Sequence, residues 1–400
     1  MKHILYIHQY FKTPKEPGGT RSYWIAKQLI EEGYRVTMLT TSSIISKNVE
    51  NKKIDGINVV YLKIPYNQKM GAFDRLISFL RFMFKSTYYA FKIKEIDLLI
   101  ATSTPLTVGF PALLLKIFKR KPYLFEVRDL WPEVPIQMGA ISNKFVIKLL
   151  QWFERIIYKN SCHIVALSPG MQKGVLEQGV PIEKTSLISN MAKIDSFWSR
   201  EKNKKLLVDL DLKEASFKII HFGALGEANG AIYIIEAAKI LKDNKEIEFV
   251  FVGGGSLEDD LVKECKDNGL TNVFFLGAFN MEIVSEIVNI CDISVVTFKN
   301  LPVLYTNSPN KLFDSLSAGR PIVVNSNGWT RKLVEKNKCG FYVNPTKPQE
   351  FVDKILYLKG NEIQKERMGL AARNLAEIKY DKKILCRKFA LIVEKLFLDI

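Results

Sequence analysis

The chain has 400 residues, a formal net charge of +16, 47% apolar and 25% charged residues. That composition is globular and excludes a disordered chain, and the length exceeds what one hydrophobic core usually serves, so two domains are expected. The excess of cations calls for an anionic partner, whether a nucleotide, a nucleic acid or an anionic bilayer.

The cysteines, Cys162, Cys265, Cys291, Cys339 and Cys386, are scattered without CxxC or zinc-type spacing, and with four histidines no metal-ligand cluster is readable. A reducing cytoplasm fits this usage. The opening "MKHILYIHQYF" lacks the basic, apolar and small-residue regions of a signal peptide. No uncharged apolar run of about 18 residues occurs, so a chain neither exported nor membrane-spanning is expected.

In chain order, "KHILYIHQYF" reads as an apolar strand, "PGGTR" as a glycine-rich turn, "SYWIAKQLIEEG" as an amphipathic helix stopped at Gly33, and "YRVTMLTTS" as a second strand. The stretch "GAFDRLISFLRFMFKSTYYAFKIK", Gly71 to Lys94, is helical. Phe73, Leu76, Ile77, Leu80 and Phe84 fall on one side, with Arg75, Arg81, Lys85, Lys92 and Lys94 interleaved. Such a helix suits either an anionic bilayer surface or a core face with a solvated basic edge. "LLLKIFKRKP", Leu113 to Pro122, adds a second basic patch, and "YLFEVRDLWPEVP" is a buried strand running into a charged loop.

The βαβ order restarts at Phe217 with "FKIIHFGAL", "GEANG", "AIYIIEAAKILKD" and "EIEFVFVGGG", followed by "NVFFLGAF" and "ISVVTF". Two doubly wound α/β domains in series are expected, with the border within Asn190–Leu210 and the ligand at the carboxyl ends of the strands, between the domains. Nucleic acid is disfavoured as the anion, because no aromatic RNA-binding segment appears and the cations cluster with long apolar side chains.

Candidate binding residues lie in the loops that follow strands. Gly18 and Gly19 sit before a helix, where backbone N–H groups either approach a phosphate or sugar or make a plain tight turn. Gly253, Gly254 and Gly255 offer the same two readings. In "NSPNKLFDSLSAGRPIVVN", Ser308 suits an N-cap and Pro309 the first helical position, which sets Lys311 third, where the helix dipole opposes it by about 0.3–1 kcal/mol. A lysine at a helix start is an anion site built from two parts, and a diphosphate would fill it. Asp314 shares that helix face, to pair with Lys311 or to accept from ribose hydroxyls. After the 123–127 strand, Arg128, Asp129 and Glu133 could orient a hydroxyl, take its proton or contact phosphate; Arg128 and Asp129 could equally pair with each other, and Trp131 could stack on a sugar or anchor the loop.

The order "PGGTRSYWIAKQL", "VALSPGM", "ISNMAKIDSF", "HFGAL", "FVGGG", "FLGAF" and "SPNKLFDSLSAGRPIVV" resembles the retaining glycosyltransferases of family 4 over nearly the whole chain. With the "DLWPE" loop and the "SPxKLF" helix, the resemblance is strongest to bacterial transferases of O-antigen and capsule amino sugars. It implies a GT-B fold of two Rossmann-like domains: 1–195 for the acceptor, 196–378 for the nucleotide sugar, and a crossover helix in 379–400, within Asp381–Leu398, returning to the first domain. It implies no metal and no cofactor beyond the nucleotide-sugar substrate. By motif, Asp314 takes the second acidic place of the E-x7-E signature and would bind ribose. Gly223 lies in the "HFGAL" loop, Gly277 and Phe279 in the loop that frames the base, and Ser308, Pro309 and Asn310 at the donor helix start.

Three positions depart from the pattern. Thr306 replaces the first glutamate, and Ala224 and Asn229 replace the usual phosphate-binding Arg and Lys. Lys311 then carries more of the phosphate contact, with Arg128 or Arg331 as possible substitutes, and Arg128 and Asp129 fall where the family often has a histidine. The expected activity is transfer from a UDP-sugar to a polyprenyl-diphosphate-linked saccharide, by a cytoplasmic enzyme resting on the anionic inner face of the membrane. A nucleotide-sugar epimerase, which needs no acceptor or membrane helix, and a non-catalytic GT-B subunit are the alternatives.

Overall fold

The computed structural model describes residues 1–67 and 70–399, so residue 400 of the expected 379–400 segment lies outside it. Two sheets organise the chain. The first contains β1 (His3–Ile7), β2 (Arg35–Ser42), β3 (Val49–Ile54), β4 (Ile57–Lys63), β5 (Leu98–Thr102), β6 (Tyr123–Val127), β7 (His163–Ala166) and β8 (Thr185–Leu187), in the order β3-β4-β2-β1-β5-β6-β7-β8. The second contains β9 (Phe217–Phe222), β10 (Ile247–Val252), β11 (Val273–Phe275), β12 (Ile293–Val296), β13 (Ile322–Val324) and β14 (Gly340–Tyr342), in the order β11-β10-β9-β12-β13-β14.

Pairing is parallel throughout except for β3 with β4. Helices cover both faces of a parallel sheet, which is why β1, β5, β6, β9 and β10 are buried at every residue and read as mainly apolar runs, with His3, Glu126, Lys218, His221 and Glu248 among the buried polar exceptions. The β3–β4 hairpin was not anticipated. It turns on Asp55 and Gly56, both at positive φ (49° and 90°), and its outer strand is rich in Lys, Asn and Glu, so it blunts an exposed edge and carries no core-strand signature.

In each sheet the strand order reverses beside its first strand, at β1/β5 and at β9/β12. Loops leaving those strands diverge there and open a crevice. The chain crosses between domains twice, and the two crossings are bonded: Ala192 N donates to the Tyr380 carbonyl (2.7 Å) and Lys382 N donates to the Ala192 carbonyl (2.9 Å). The Lys382–Asp399 helix then packs on the Arg21–Glu31 helix of the first domain, with Phe397 stacked on Tyr34 (centroids 5.2 Å) and the Lys382 ammonium 3.6 Å from the Trp24 ring centre.

Candidate active site

A cleft of about 780 Å3 lies between the domains, walled on one side by the loops after β1 and β6 and on the other by the loops after β9 and β10 and the Asn310–Ser317 helix. That helix begins one residue later than its sequence suggested. Pro309, extended at φ −75° and ψ 138°, is the N-cap, so Lys311 is the second helical residue. Ser308 is drawn instead to the interdomain linker: its hydroxyl accepts from Asn190 N (3.2 Å) and its carbonyl accepts from the Asn190 amide.

Lys311 is buried, with Nζ 3.1 Å from Nε2 of His221 on β9. Burial pushes its ammonium down to about 7, and burial followed by the Lys311 charge holds His221 well below the ordinary histidine range. No ion pair to Lys311 forms among the described residues. Asp314 pairs instead with Lys193 of the linker (2.5 Å); burial raises the Asp314 carboxyl and Lys193 opposes that rise. The expected Lys311–Asp314 pairing is therefore absent, and Lys193, unremarked in the sequence, is a second cation of the cleft.

On the opposite wall Arg128 donates to His8 Nε2 (3.2 Å). A guanidinium has no acceptor, so His8 Nε2 accepts and Nδ1–H donates to Ser22 Oγ, 2.8 Å away. Burial and then Arg128 keep His8 neutral. Asp129 accepts from Thr104 Oγ1 (2.7 Å); burial raises its carboxyl, against that hydrogen bond and Arg128. Arg128 and Asp129 make no ion pair with each other, so both remain turned to the cleft with partners of their own.

Several glycines are there for approach. A Cβ on Gly19 would meet Asn310 Nδ2 at 2.8 Å and Arg128 at 3.6 Å, so the bare turn lets the start of the Asn310–Ser317 helix reach the other domain. One on Gly253 would lie 2.0 Å from the Gly223 carbonyl, which makes Gly253 a close loop–loop contact. Gly18, Gly223, Gly254 and Phe279 line the cleft. Gly277 stands behind it, accepting from Gly253 N (2.7 Å).

Other expected residues point elsewhere. Glu133 accepts from Gln137 (2.6 Å) outside the cleft lining, because the loop after β6 curls into the Glu133–Gln137 helix and turns the carboxylate along it. Trp131 packs edge-on against Phe79 (6.0 Å) as a loop anchor. Arg331 lies over the Tyr342 ring (4.3 Å) and pairs with Glu335, so it does not replace the missing phosphate clamp. Thr306 spends its hydroxyl on the Val303 carbonyl (2.7 Å), and its methyl faces Gly170 so closely that a Cβ there would come within 2.7 Å. An interdomain contact thus fills the place of the absent carboxylate. Arg21 of "PGGTR" is fully buried, pairs with Glu126 (2.8 Å) and donates to the Ile188 and Ser189 carbonyls, bolting the glycine turn to β6 and the linker. Among the described residues, no group of three or more His, Cys, Asp or Glu side chains could hold a metal ion.

Residues 18–191 match the Glycosyl transferase 4-like domain and residues 202–375 match Glycosyl transferases group 1. The probable glycosyltransferase WbjE of Pseudomonas aeruginosa is 22% identical over 72% of this chain and 73% of its own. An Escherichia coli UDP-Gal:alpha-D-GlcNAc-diphosphoundecaprenol alpha-1,3-galactosyltransferase is 26% identical over 56% of this chain and 58% of its own. Among solved structures, HepE of Anabaena in complex with UDP-glucose superposes with TM-score 0.72 at 19% identity, covering 99% of this chain and all of that one. Two Rossmann-like domains facing across a cleft are the GT-B architecture. The chain belongs to the family 4 glycosyltransferases, and its relatives include glycosyltransferases named for colanic acid and amylovoran biosynthesis.

Proposed function

We propose that this glycosyltransferase moves a sugar, with retention, from a UDP-sugar to a polyprenyl-diphosphate-linked saccharide in O-antigen or capsule synthesis. The observation that carries the donor half is Lys311: a buried amine at a helix start, with no carboxylate partner, aimed into an interdomain cleft. As the leaving diphosphate gains charge, the lysine ammonium and helix N–H groups stabilise it. Asp314 is the ribose acceptor, with Lys193 opposing the rise that burial imposes on its carboxyl. In the retaining route the acceptor hydroxyl attacks from the face the diphosphate leaves, so the diphosphate takes the proton and Asp129 orients the hydroxyl. The UDP-glucose held by HepE and the lipid-linked acceptor in the Escherichia coli enzyme's name support this choice of substrates.

A lipid-linked acceptor suits the first domain's surface. On the Ala72–Lys92 helix Phe73, Leu76, Leu80 and Phe84 are exposed; beside it come Ile117 and Phe118 of the Gly109–Lys119 helix, then Phe145, Leu149 and Trp152 of the Lys144–Asn160 helix. Phe110 bridges this layer, with Phe84 and Phe153 each within 6.4 Å of it. Arg81, Lys119, Lys144 and Lys148 are exposed on the same helices, which favours an anionic bilayer surface over a neutral one. Among the described residues no helix is long and apolar enough to cross a membrane. Incubation with polyprenyl-diphosphate saccharides and a panel of UDP-, GDP- and dTDP-sugars, with products identified by mass, tests the reading. A lipid-linked product one sugar longer is expected; conversion of the donor without acceptor, or no turnover with any donor, would overturn it.

A further inference from the structure

The partner of Lys311 is unusual for a buried amine. His221 Nε2 lies 3.1 Å from Nζ, both side chains are out of solvent, and the imidazole is wedged beside Phe251 (centroids 5.7 Å). Two adjacent buried bases cannot both be charged without strong repulsion, so at most one proton beyond the neutral state is held there. Several charged neighbours are engaged elsewhere. On the same helix Asp314 is held by Lys193 of the linker, and on the Glu362–Leu375 helix behind it Arg373 donates to the Ile194, Phe197 and Ser317 carbonyls. Glu258 stands at the Gly254 loop, and Glu16, His8, Arg128 and Asp129 line the cleft. None of them offsets the effect of burial on Lys311.

Resting on the nucleotide-diphosphate reading of the cleft, we propose that His221 is a positioning residue for Lys311. Burial disfavours the charged lysine in the free enzyme, and when the diphosphate binds Nζ takes up a proton from solvent. His221 Nε2 then accepts one of the three ammonium hydrogens, which fixes the other two towards the phosphate oxygens. Nδ1 of His221 is directed at the Val295 backbone on β12, so the tautomer with hydrogen on Nδ1 leaves Nε2 free to accept. A binding step that adds a proton to the protein is the signature, because an ordinary surface lysine is already charged at neutral pH.

The test is calorimetric titration with UDP at pH 8, in buffers of low and high ionisation enthalpy, where the terminal phosphate of UDP, with a second pKa of about 6, is already ionised. GDP or dTDP replaces UDP if either binds more tightly. With a free lysine titrating at about 7, uptake of about 0.9 proton is expected, and none in Lys311→Met. His221→Phe, which keeps the lysine but removes its acceptor, should weaken UDP binding roughly tenfold, and His221→Gln, whose amide oxygen accepts in place of Nε2, should recover most of that loss. Binding with no buffer-dependent heat in the parent, or a His221→Phe variant that binds like the parent, would overturn the proposal while leaving the donor reading intact. Failure of all three nucleoside diphosphates to bind would instead remove the donor reading itself. Should His221→Phe not fold, comparison of the parent with Lys311→Met still decides the proton uptake, and His221→Leu replaces it as the test of the acceptor.

Discussion

Replacing Lys311 by methionine should make the enzyme more stable and nearly inactive. Methionine matches the length of the lysine stem but carries no charge to desolvate. Burial lowers the lysine from its ordinary 10.5 to about 7. At about 1.36 kcal/mol per pH unit, that difference costs the folded state of order 4–5 kcal/mol once the pH is below 7. The lost hydrogen bond to His221 offsets about 1 kcal/mol, so a net gain of about 3–4 kcal/mol is expected. For a domain of roughly 150–250 residues this raises Tm by roughly 5–15 °C.

The sign with pH is definite. A base whose folded value is depressed costs nothing above its unfolded value near 10.5, costs progressively more as pH falls towards 7, and costs a constant amount below. The Tm difference between variant and parent should therefore widen from pH 9.5 to pH 7 and then level, as followed by differential scanning calorimetry without donor. Transfer should fall about 100- to 1000-fold in kcat, from loss of about 2.7–4 kcal/mol of charge stabilisation. Equal Tm values at pH 7, or turnover near that of the parent, would refute the reasoning.

Asp314→Asn should raise the donor KM with kcat nearly unchanged, because a ribose contact is made equally in ground and transition states; collapse of kcat at unchanged donor affinity would move Asp314 into the chemistry. The same change leaves Lys193 without its buried counter-charge and should lower stability by about 1–3 kcal/mol, read by urea denaturation. Exchanging Phe84 and Trp152 for serine and Arg75, Arg81 and Lys85 for glutamine should weaken sedimentation with anionic vesicles, while activity on a short water-soluble acceptor survives. The parent should bind anionic vesicles better than neutral ones and release in high salt. Equal sedimentation of variant and parent would return these helices to a solvated core face.

What the sequence determined by itself was whatever short-range physics writes into adjacent residues. The apolar runs of β1, β9 and β10, the helix closing at Gly33 and the glycine loops after strands all follow from periodicity and backbone freedom within a dozen residues. Lys311 was visible for the same reason, since a cation at a helix start is a local anomaly. The β3–β4 hairpin escaped notice because a polar edge strand lacks the alternation of a buried one.

Only the tertiary structure decided which groups meet. Lys311 reaches His221 across 90 residues, Arg128 reaches His8 across 120, and Arg21 reaches Glu126 across 105. The Asp314–Lys193 pair likewise joins the Asn310–Ser317 helix to the linker. No local pattern encodes such pairs: each partner is an ordinary polar residue on its own strand, helix or linker, and strand order alone brings the two together. The charges that these residues carry follow from that meeting as well. Burial, which lowers Lys311 and raises Asp129, exists only in the folded chain.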